Sequence, residues 1–264
     1  MIFITLCGTG RLGNALYFYN GMKRLLCDND RLIDLNLIKH TNGIYATPQR
    51  RLHKRYLTNI MFRYFVKFLS FFFKKYKDKI HDIKLFKIYF LAFGNDEMLS
   101  CDRFHLLRKQ GIKICFVCGG WKIDNEKSYL SPAKYFESDK KLQNYFMKLR
   151  GKSSNDKLIG VHVRRGDFRI WRGGKYFMDF TESIEFVVRD LKLNSMHDNF
   201  TILLFSDEQL STEEKFSVEV IQSSGTPSED LYSLSRCDYI YGSSISSFCR
   251  FAALWAGKPL NVIN

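Results

Sequence analysis

The stretch GVHVRRGDF, residues 160–168, decides the fold class of this chain. The apolar run at residues 158–163 has the length and composition of a buried strand, and it leads directly into two arginines and an aspartate. In open α/β sheets, ligands bind where the strands leave the sheet at their carboxyl ends. The stretch therefore predicts a buried strand with a charged binding site at its exit.

Around this strand the chain alternates as a parallel α/β unit does. Residues 151–156, GKSSND, are the best linker candidate and divide the chain into domains 1–150 and 151–264. The second domain is predicted to be Rossmann-like. Its strands are expected at 158–164, 200–206, 218–222, 239–242 and 259–263, and its helices at about 176–192, 228–236 and 246–256. The first domain is predicted to be a less regular α/β unit that begins with a strand at 2–7 and a helix at about 14–27.

The composition is that of a globular protein, with 45% hydrophobic residues and four prolines among 264 residues. The seven cysteines are scattered, and several lie in apolar runs, as expected of reduced thiols in a cytoplasmic protein. Cys115 and Cys118 form a CxxC without a second pair or a suitably spaced histidine, so no zinc site is expected. The first strand lacks the basic flank of a signal peptide, and no apolar run is long enough to cross a membrane.

The formal net charge of +14 is concentrated in one segment. Residues 50–91 contain twelve Lys and Arg against Asp78 and Asp82, a net charge of +10, interleaved with Phe and Tyr. The pattern predicts a helical insert with a wide apolar face and a basic margin. Three interpretations fit it: a core-packing subdomain whose lysines reach solvent, a peripheral attachment to the inner face of an anionic membrane, or a nucleic-acid contact. No known nucleic-acid-binding module is recognisable, so no nucleic-acid partner is expected.

The charged exit of the strand is suited to phosphate. Side chains alternate along a strand, so His162 and Arg164 are expected on one face, with Arg165 and Asp167 at the mouth. A guanidinium group offers a planar fork and a permanent charge to a phosphate group. The alternatives are an ion pair between Arg165 and Asp167, and a buried His162 satisfied by backbone groups.

Two further strand ends are expected at the same edge. Ser246 or Ser247 is predicted to cap the helix that follows strand 239–242, so that the free amides of this helix would face an anion. Asp207, at the tip of LLFSDE, is expected either to accept hydrogen bonds from a ribose or a guanine, or to cap the next helix. Together these elements predict a pocket for a diphosphate.

The glycines of CGTGRLGN permit a different function. Gly8, Gly10 and Gly13 follow the first strand at the GxGxxG spacing, and Asp34 lies near the distance at which a dinucleotide fold places its ribose-binding acid. An NAD(P)-dependent enzyme therefore stays open as an alternative, as does a non-catalytic basic protein that binds a membrane or a nucleic acid.

Several stretches, in order, resemble one family. GRLGNALYFY, GGWKIDNEKSYLSPAKYF, GVHVRRGDF, LLFSDE and DLYSLSRCDYIYGSSISSFCRFAALWAGKP together look like a bacterial α-1,2-fucosyltransferase of the glycosyltransferase 11 type. This type lies within the wider GDP-fucose fucosyltransferase superfamily, which is marked by an HxRRxD strand. The chain departs from the family in having RLGNA where GLGNQ is usual.

The resemblance implies a GT-B fold of two facing Rossmann-like domains and inverting transfer of fucose from GDP-fucose without a required metal. The acceptor that the resemblance implies is the O2 hydroxyl of galactose in an oligosaccharide or lipid-linked cell-surface glycan. The residues that would hold the donor are His162, Arg164 and Arg165 at the strand exit, Ser246, Ser247 and Phe248 at the helix start, Asp207 and Asp230 on the nucleoside side, and Gly13 and Asn14 from the first domain. Arg164 would stabilise the leaving diphosphate, and Asp167 is the first candidate for the general base, with Asp179 and Glu182 as substitutes.

Overall fold

The chain forms two compact units, Met1–Glu137 and Ser138–Asn264. The computed structural model describes residues 1–7, 12–35, 37, 44–46, 60–80, 83–92, 98–99, 101–118, 122–123, 136–194, 199–211 and 215–263. The division falls ahead of a helix that the sequence analysis placed in the first domain, so the candidate linker 151–156 lies within the second unit. The domain boundary at 150/151 stays a prediction.

The first unit is built on a five-stranded sheet. Its elements are β1 (Ile2–Cys7), α1 (Leu12–Leu25), β2 (Arg31–Asp34), β3 (Ile44–Ala46), α2 (Ile60–Ile80), β4 (Ile83–Leu85), β5 (Ile88–Ala92), β6 (Met98–Leu99), α3 (Cys101–Lys109), β7 (Ile114–Cys118), β8 (Lys122–Ile123) and β9 (Phe136–Ser138). The strand order is β2-β1-β7-β5-β4, parallel except for the β4–β5 pair. Buried residues of the sheet and helices, such as Phe3 and Phe104 with ring centroids 4.7 Å apart, form its core.

The basic insert contains a helix and a hairpin. The helical prediction for residues 50–91 is confirmed at α2, whereas residues 83–92 form the antiparallel β4–β5 pair, and residues 50–59 and 81–82 lie outside the described part. The helical pattern does not continue because Ile83 and Leu85 alternate with lysine at a strand period, and Phe86 adopts φ 53° in the turn. Among the described residues, no helix combines the length and apolar character needed to cross a bilayer.

The second unit is a parallel sheet with helices on both faces. Its elements are α4 (Lys140–Arg150), β10 (Lys157–Val163), 3₁₀ turns at Asp167–Arg169 and Trp171–Gly174, α5 (Phe180–Leu193), β11 (Phe200–Ser206), β12 (Glu219–Gln222), α6 (Pro227–Arg236), β13 (Tyr239–Gly242), α7 (Ser247–Ala256) and β14 (Leu260–Val262). The strand order is β12-β11-β10-β13-β14, with every pair parallel. The predicted helix at 176–192 begins four residues later than expected, because the chain first passes through the two 3₁₀ turns and Asp179 caps α5.

The two faces of β10 pack against different helices. Ile159, Val161 and Val163 lie in a buried cluster with apolar residues of α5, as strand alternation predicts. On the other face, Gly160 lies against Leu234 of α6 and Cys237. Glycine is required there because a Cβ at residue 160 would lie 2.6 Å from Leu234 Cδ1 and 2.9 Å from Cys237 Sγ.

We expect Gly160→Ala to destabilise the second unit by about 1–3 kcal/mol, because the added methyl group overpacks the contact between β10 and α6. Gly151→Ala is the matched control: Gly151 has φ −66°, a conformation that alanine adopts readily. Urea unfolding of the two variants measures the difference. Equal midpoints for Gly160→Ala and wild type would show that the helix does not approach the strand this closely.

Candidate functional site

The candidate site lies at the carboxyl edge of the second-unit sheet. β10 has β11 on one side and β13 on the other, and His162 pairs with Phe205 and with Gly242, so the three strands end at one level. A Cβ at Gly242 would lie 2.8 Å from Cys249 Sγ, so glycine lets α7 pack closely beside this edge. The sequence-predicted residues on or just beyond these three strands are His162, Arg164, Arg165, Asp167, Asp207, Ser246, Ser247 and Phe248.

The His162 side chain is buried at this edge. Its ring is buried and stacks on Phe248 in the first turn of α7, with ring centroids 4.8 Å apart and planes 21° apart. Burial, reinforced by the positive charge of Arg164 and opposed by Asp207, lowers the pKa of His162 from 6.5 to about 4. His162 is therefore neutral at pH 7 and contributes no charge for binding phosphate. Its Nδ1 has no hydrogen-bond partner among the described residues.

Arg164 is held by a single carboxylate. Its Nε and Nη2 donate to the two oxygens of Asp167, at 2.8 and 2.5 Å, and its guanidinium lies 4.9 Å from the ring centroid of Phe168. Asp167 is 43% exposed, so this pair is close to solvent. Because the Arg164 side chain is only 18% exposed, the pair is half-buried, with its carboxylate open to a competing anion from solvent.

Arg165 has more neighbours than Arg164. Its guanidinium lies near the rings of Phe177 and Phe180, at 4.8 and 4.4 Å from their centroids. It forms ion pairs with Glu208 at 3.1 Å and with Asp179 at 3.7 Å. These contacts are electrostatic and aromatic, and the buried Nε of Arg165 has no hydrogen-bond partner among the described residues. The predicted alternative pair, Arg165 with Asp167, does not form, because Asp167 pairs with Arg164 instead.

Glu208 joins Arg165 to a second arginine. Its two oxygens accept hydrogen bonds from Arg169, at 3.0 and 2.6 Å, and Arg169 also lies 4.7 Å from the Phe177 ring centroid. The hydrogen bond from Arg169 is the main cause that lowers the pKa of Glu208, which is therefore ionised at neutral pH. The sequence analysis passed over Glu208, Arg169 and the two phenylalanines, although Glu208 directly follows Asp207 in LLFSDE.

Asp207 fastens the loop after β10 to the end of β11. Its Oδ1 accepts hydrogen bonds from the backbone amides of Arg165, at 2.8 Å, and Gly166, at 3.2 Å. A Cβ at Gly166 would lie 2.7 Å from Asp207 Oδ2, so the loop has glycine where the carboxylate comes close. Asp207 therefore positions the backbone beside Arg164, and residues 208–211, which directly follow it, form no helix for it to cap.

The start of α7 has no side-chain cap. Ser246 is the N-cap residue in an extended conformation, but its buried hydroxyl makes no capping hydrogen bond. The first backbone amides of a helix lack intrahelical acceptors and carry the positive end of the helix dipole. The predicted serine cap is thus replaced by an uncapped helix start, which is the more suitable arrangement for an anion.

Asp230 belongs to a different cluster. Its Oδ1 accepts a 2.5 Å hydrogen bond from Ser223, whose hydroxyl also contacts the Tyr145 hydroxyl at 2.8 Å. Burial, opposed by the Ser223 hydrogen bond and reinforced by Glu229, raises the pKa of Asp230 from 3.8 to about 6. This cluster connects α4, the end of β12 and α6, and it contains neither arginine of the candidate site.

The remaining predicted residues have local roles in the described structure. Asp179 caps α5 by accepting from the amides of Thr181 and Glu182, so its carboxylate is already engaged. Gly13 and Asn14 lie in the first turn of α1, in the first unit. For the dinucleotide alternative, Gly8 and Gly10 lie outside the described residues.

Asp34, the acid that a dinucleotide fold would direct to a ribose, is buried in the described structure. Its Oδ1 accepts the amide of Leu37 at 2.8 Å. No observation in the described part of the chain favours dinucleotide binding. Among the same residues, no group of three or more His, Cys, Asp or Glu side chains is arranged to hold a metal ion.

No protein-family model and no curated protein matches this sequence. Solved structures do match it. POFUT1 in complex with GDP-fucose aligns with a TM-score of 0.61 and 12% identity, over 99% of this chain and 97% of that chain. POFUT1 in complex with GDP aligns at 0.57 and 12%, over the same shares of both chains. A variant of Arabidopsis thaliana FUT1 in complex with GDP aligns at 0.57 and 14%, over 99% of this chain and 70% of that chain. These likenesses show the fold: the predicted α/β architecture of GT-B type is confirmed.

His162 and Asp230 give opposite dependences of stability on pH. A histidine whose pKa is lowered to about 4 stays neutral in the folded protein, so its contribution to stability is present above pH 6.5 and is lost as the pH falls towards 4. A carboxyl whose pKa is raised to about 6 stays protonated while the unfolded chain ionises, so its contribution is lost as the pH rises from 3.8 to 6. In the wild-type protein the two contributions to stability therefore oppose each other between about pH 4 and 6.

We therefore expect Asp230→Asn to reveal the contribution of the histidine. Its free energy of unfolding should rise by on the order of 3 kcal/mol between pH 4 and 6.5. His162→Gln should lose this rise above about pH 5, because the opposing histidine is gone while the raised pKa of Asp230 still disfavours the folded state as the pH approaches 6. Urea titrations at a series of pH values measure both. Identical pH profiles for both variants and wild type would rule out the burial of these two groups.

Proposed function

We propose that this chain is an inverting glycosyltransferase that transfers fucose from GDP-fucose to an acceptor hydroxyl. The observation that carries the proposal is Arg164 at the carboxyl edge of a parallel sheet, two residues beyond His162, whose ring packs on the uncapped start of α7. The fold is shared with solved structures in complex with GDP and GDP-fucose. The carboxyl edge of such a sheet is the usual nucleotide-binding position.

In this proposal Arg164 binds the diphosphate by exchange. Asp167 occupies two nitrogens of Arg164 through a half-buried pair, and Nη1 takes part in neither bond. A diphosphate offers more charge and more acceptor oxygens than one carboxylate, so it displaces Asp167. The amides at the start of α7, with Ser246, Ser247 and Phe248, approach the same anion from the neighbouring strand.

Arg165 has a supporting role in this proposal. Its guanidinium is enclosed by two rings and two carboxylates, so it holds the loop rather than the substrate. Asp207 keeps the amides of Arg165 and Gly166 at the sheet edge and stays, with Asp230, a proposed contact on the nucleoside side. Gly13 and Asn14 stay proposed donor contacts from the first unit.

The chemical step uses the carboxylate that the donor displaces. The acceptor oxygen attacks C1 of fucose from the side opposite the diphosphate, the bond from C1 to the phosphate oxygen breaks, and GDP leaves. Arg164 stabilises the negative charge that accumulates on the leaving diphosphate. Asp167, released from Arg164, accepts the proton of the acceptor hydroxyl as general base.

The acceptor is the finer part of the proposal. We infer that fucose is transferred to O2 of galactose in a cell-surface glycan and that no metal is required. Both inferences rest on the resemblance of HVRRGD and the SSF helix start to bacterial α-1,2-fucosyltransferases. A screen of glycan acceptors with GDP-fucose, in the presence and absence of EDTA, tests both points. Linkage analysis of the product then identifies the hydroxyl that received fucose.

Calorimetry tests the nucleotide. The proposal expects GDP to bind, and NAD and a mixed-sequence oligonucleotide not to bind under the same conditions. NAD binding without GDP binding would assign the chain to the dinucleotide class instead.

Arg164→Ala is expected to lower kcat about a hundredfold, equivalent to about 3 kcal/mol of transition-state stabilisation, and to weaken GDP binding. Arg164→Lys should recover part of the GDP affinity, because lysine keeps the charge but loses the bidentate fork. The control is Arg189→Ala, which removes an exposed arginine from α5 of the same unit. Steady-state kinetics with GDP-fucose provide the measurement, and wild-type turnover in Arg164→Ala would refute the role.

Asp167→Asn separates binding from chemistry. Removing the carboxylate that competes for Arg164 should tighten GDP binding by about two- to fivefold, in line with the small free energy of an ion pair whose carboxylate is open to solvent. The same change should lower kcat, because an amide cannot accept the acceptor proton. Weaker GDP binding would contradict the exchange, and an unchanged kcat across pH would move the base elsewhere.

A further inference from the structure

Helix α2 presents an aromatic face to solvent. The face consists of Met61, Tyr64, Phe65, Phe68, Phe71 and Phe72, which are between 39% and 74% exposed. They recur at spacings of three and four residues and so share one side of the helix. The rings of Phe68 and Phe72 stack with centroids 6.3 Å apart, which makes the surface continuous. We name it the aromatic face of α2.

This face does not belong to the core of the first unit. α2 packs against β1, β5 and β7, while the six side chains of the aromatic face are exposed to solvent. Single exposed apolar residues are ordinary in soluble proteins, but a continuous set of six large ones marks an interaction surface. The interpretation of the insert as a purely core-packing subdomain therefore does not account for these six residues.

Basic side chains accompany the aromatic face. Arg63, Lys67, Lys75 and Lys79 are exposed on the same helix, and the segment 50–91 carries a net charge of +10. A partner of complementary charge is anionic. A second copy of this chain is a poor partner, because pairing the faces would bring two strongly positive segments together.

The β4–β5 hairpin, which follows α2 in the chain, also combines exposed apolar side chains with basic ones. Leu85 and Phe86 at its tip are 53% and 97% exposed, and exposed Lys84 and Lys87 stand on either side of them. Phe86 adopts φ 53°, a left-handed conformation that glycine or asparagine adopts at lower cost. Neither packing nor turn geometry favours phenylalanine at this position, and its exposed ring is available to a binding partner.

We propose that the aromatic face of α2 and the tip of the β4–β5 hairpin attach the protein to an anionic membrane surface. The phenylalanine rings enter the boundary between headgroups and acyl chains, and the lysines and arginines lie among the anionic headgroups. Met61 and Leu85 favour lipid over a nucleic-acid strand, because aliphatic side chains fill an acyl layer but do not provide the ring stacking by which single strands are held.

Flotation of the full chain with vesicles tests this proposal. Vesicles of phosphatidylcholine with phosphatidylserine are compared with vesicles of phosphatidylcholine alone, at low and high salt. Phe68→Ser combined with Phe72→Ser removes two rings, Lys75→Gln combined with Lys79→Gln removes two charges, and Phe86→Ser removes the ring at the hairpin tip. Leu106→Ser on α3, which is 54% exposed, is the matched control for loss of an exposed apolar side chain.

The proposal expects wild type and Leu106→Ser to bind anionic vesicles, with binding reduced by salt. The double phenylalanine variant should bind at least about tenfold more weakly, and each lost lysine should weaken binding roughly fivefold at low salt. Phe86→Ser alone should weaken binding measurably. Thermal melting equal to wild type shows that each variant is folded, independently of any donor binding.

Other outcomes would overturn the proposal. Equal binding to neutral and anionic vesicles, or no binding to either, excludes an anionic membrane surface. Loss of binding in Leu106→Ser as well would show that the aromatic face has no special role. Sedimentation that shows a wild-type dimer dissociated by the double phenylalanine change would assign the face to self-association. If wild type bound an oligonucleotide but no vesicles, and the double phenylalanine variant lost the oligonucleotide binding, the aromatic face would be assigned to nucleic acid.

Discussion

The parallel pairing of β10 on both sides positions the rest of the second unit. Because His162 is level with Phe205 on one neighbour and with Gly242 on the other, three chain segments leave the sheet at one height and their polar residues meet there. Two glycines let the flanking helices come close to these strands. A Cβ at residue 160 or 242 would lie under 3 Å from a side chain of α6 or α7. Placement of the charged edge is thus a consequence of packing in the apolar layer beneath it.

The two adjacent arginines at this edge differ in their neighbours. Arg165 has two aromatic rings and two carboxylates close to its guanidinium, whereas Arg164 has one ring and one carboxylate, which accepts two hydrogen bonds from it. A side chain with many partners is suited to holding a loop, and one with a single replaceable partner is suited to exchanging it for a ligand. The edge therefore carries its own counter-ions, and under the proposed function a donor gains affinity only to the extent that its phosphates bind Arg164 better than Asp167 does.

Most strands of the second unit could be predicted from the sequence, because buried parallel strands are short apolar runs between turn residues. The strands at 200–206 and 239–242 have the predicted bounds, and the alternation that separates Val161 and Val163 from His162 is as expected. The pairing of Arg164 with Asp167 was not predictable, since neighbouring residues compete for the same partners and only the turn geometry decides among them. Likewise, the neutral state of His162 depends on burial by Phe248, which is distant in sequence. The hairpin at 83–92 was mistaken for helix because the basic composition continues through it.

At Phe86, the conformation that would favour folding conflicts with the exposed ring that the proposed membrane attachment uses. A phenylalanine in a left-handed turn costs roughly 1 kcal/mol that glycine would not, and it leaves a large ring in water. A laboratory selection for heat resistance alone would therefore be drawn to replace this residue with glycine or asparagine. Such a selection would return a more heat-stable protein without the exposed ring at the hairpin tip, so under the proposed membrane attachment a thermostable variant of this chain should bind anionic vesicles more weakly.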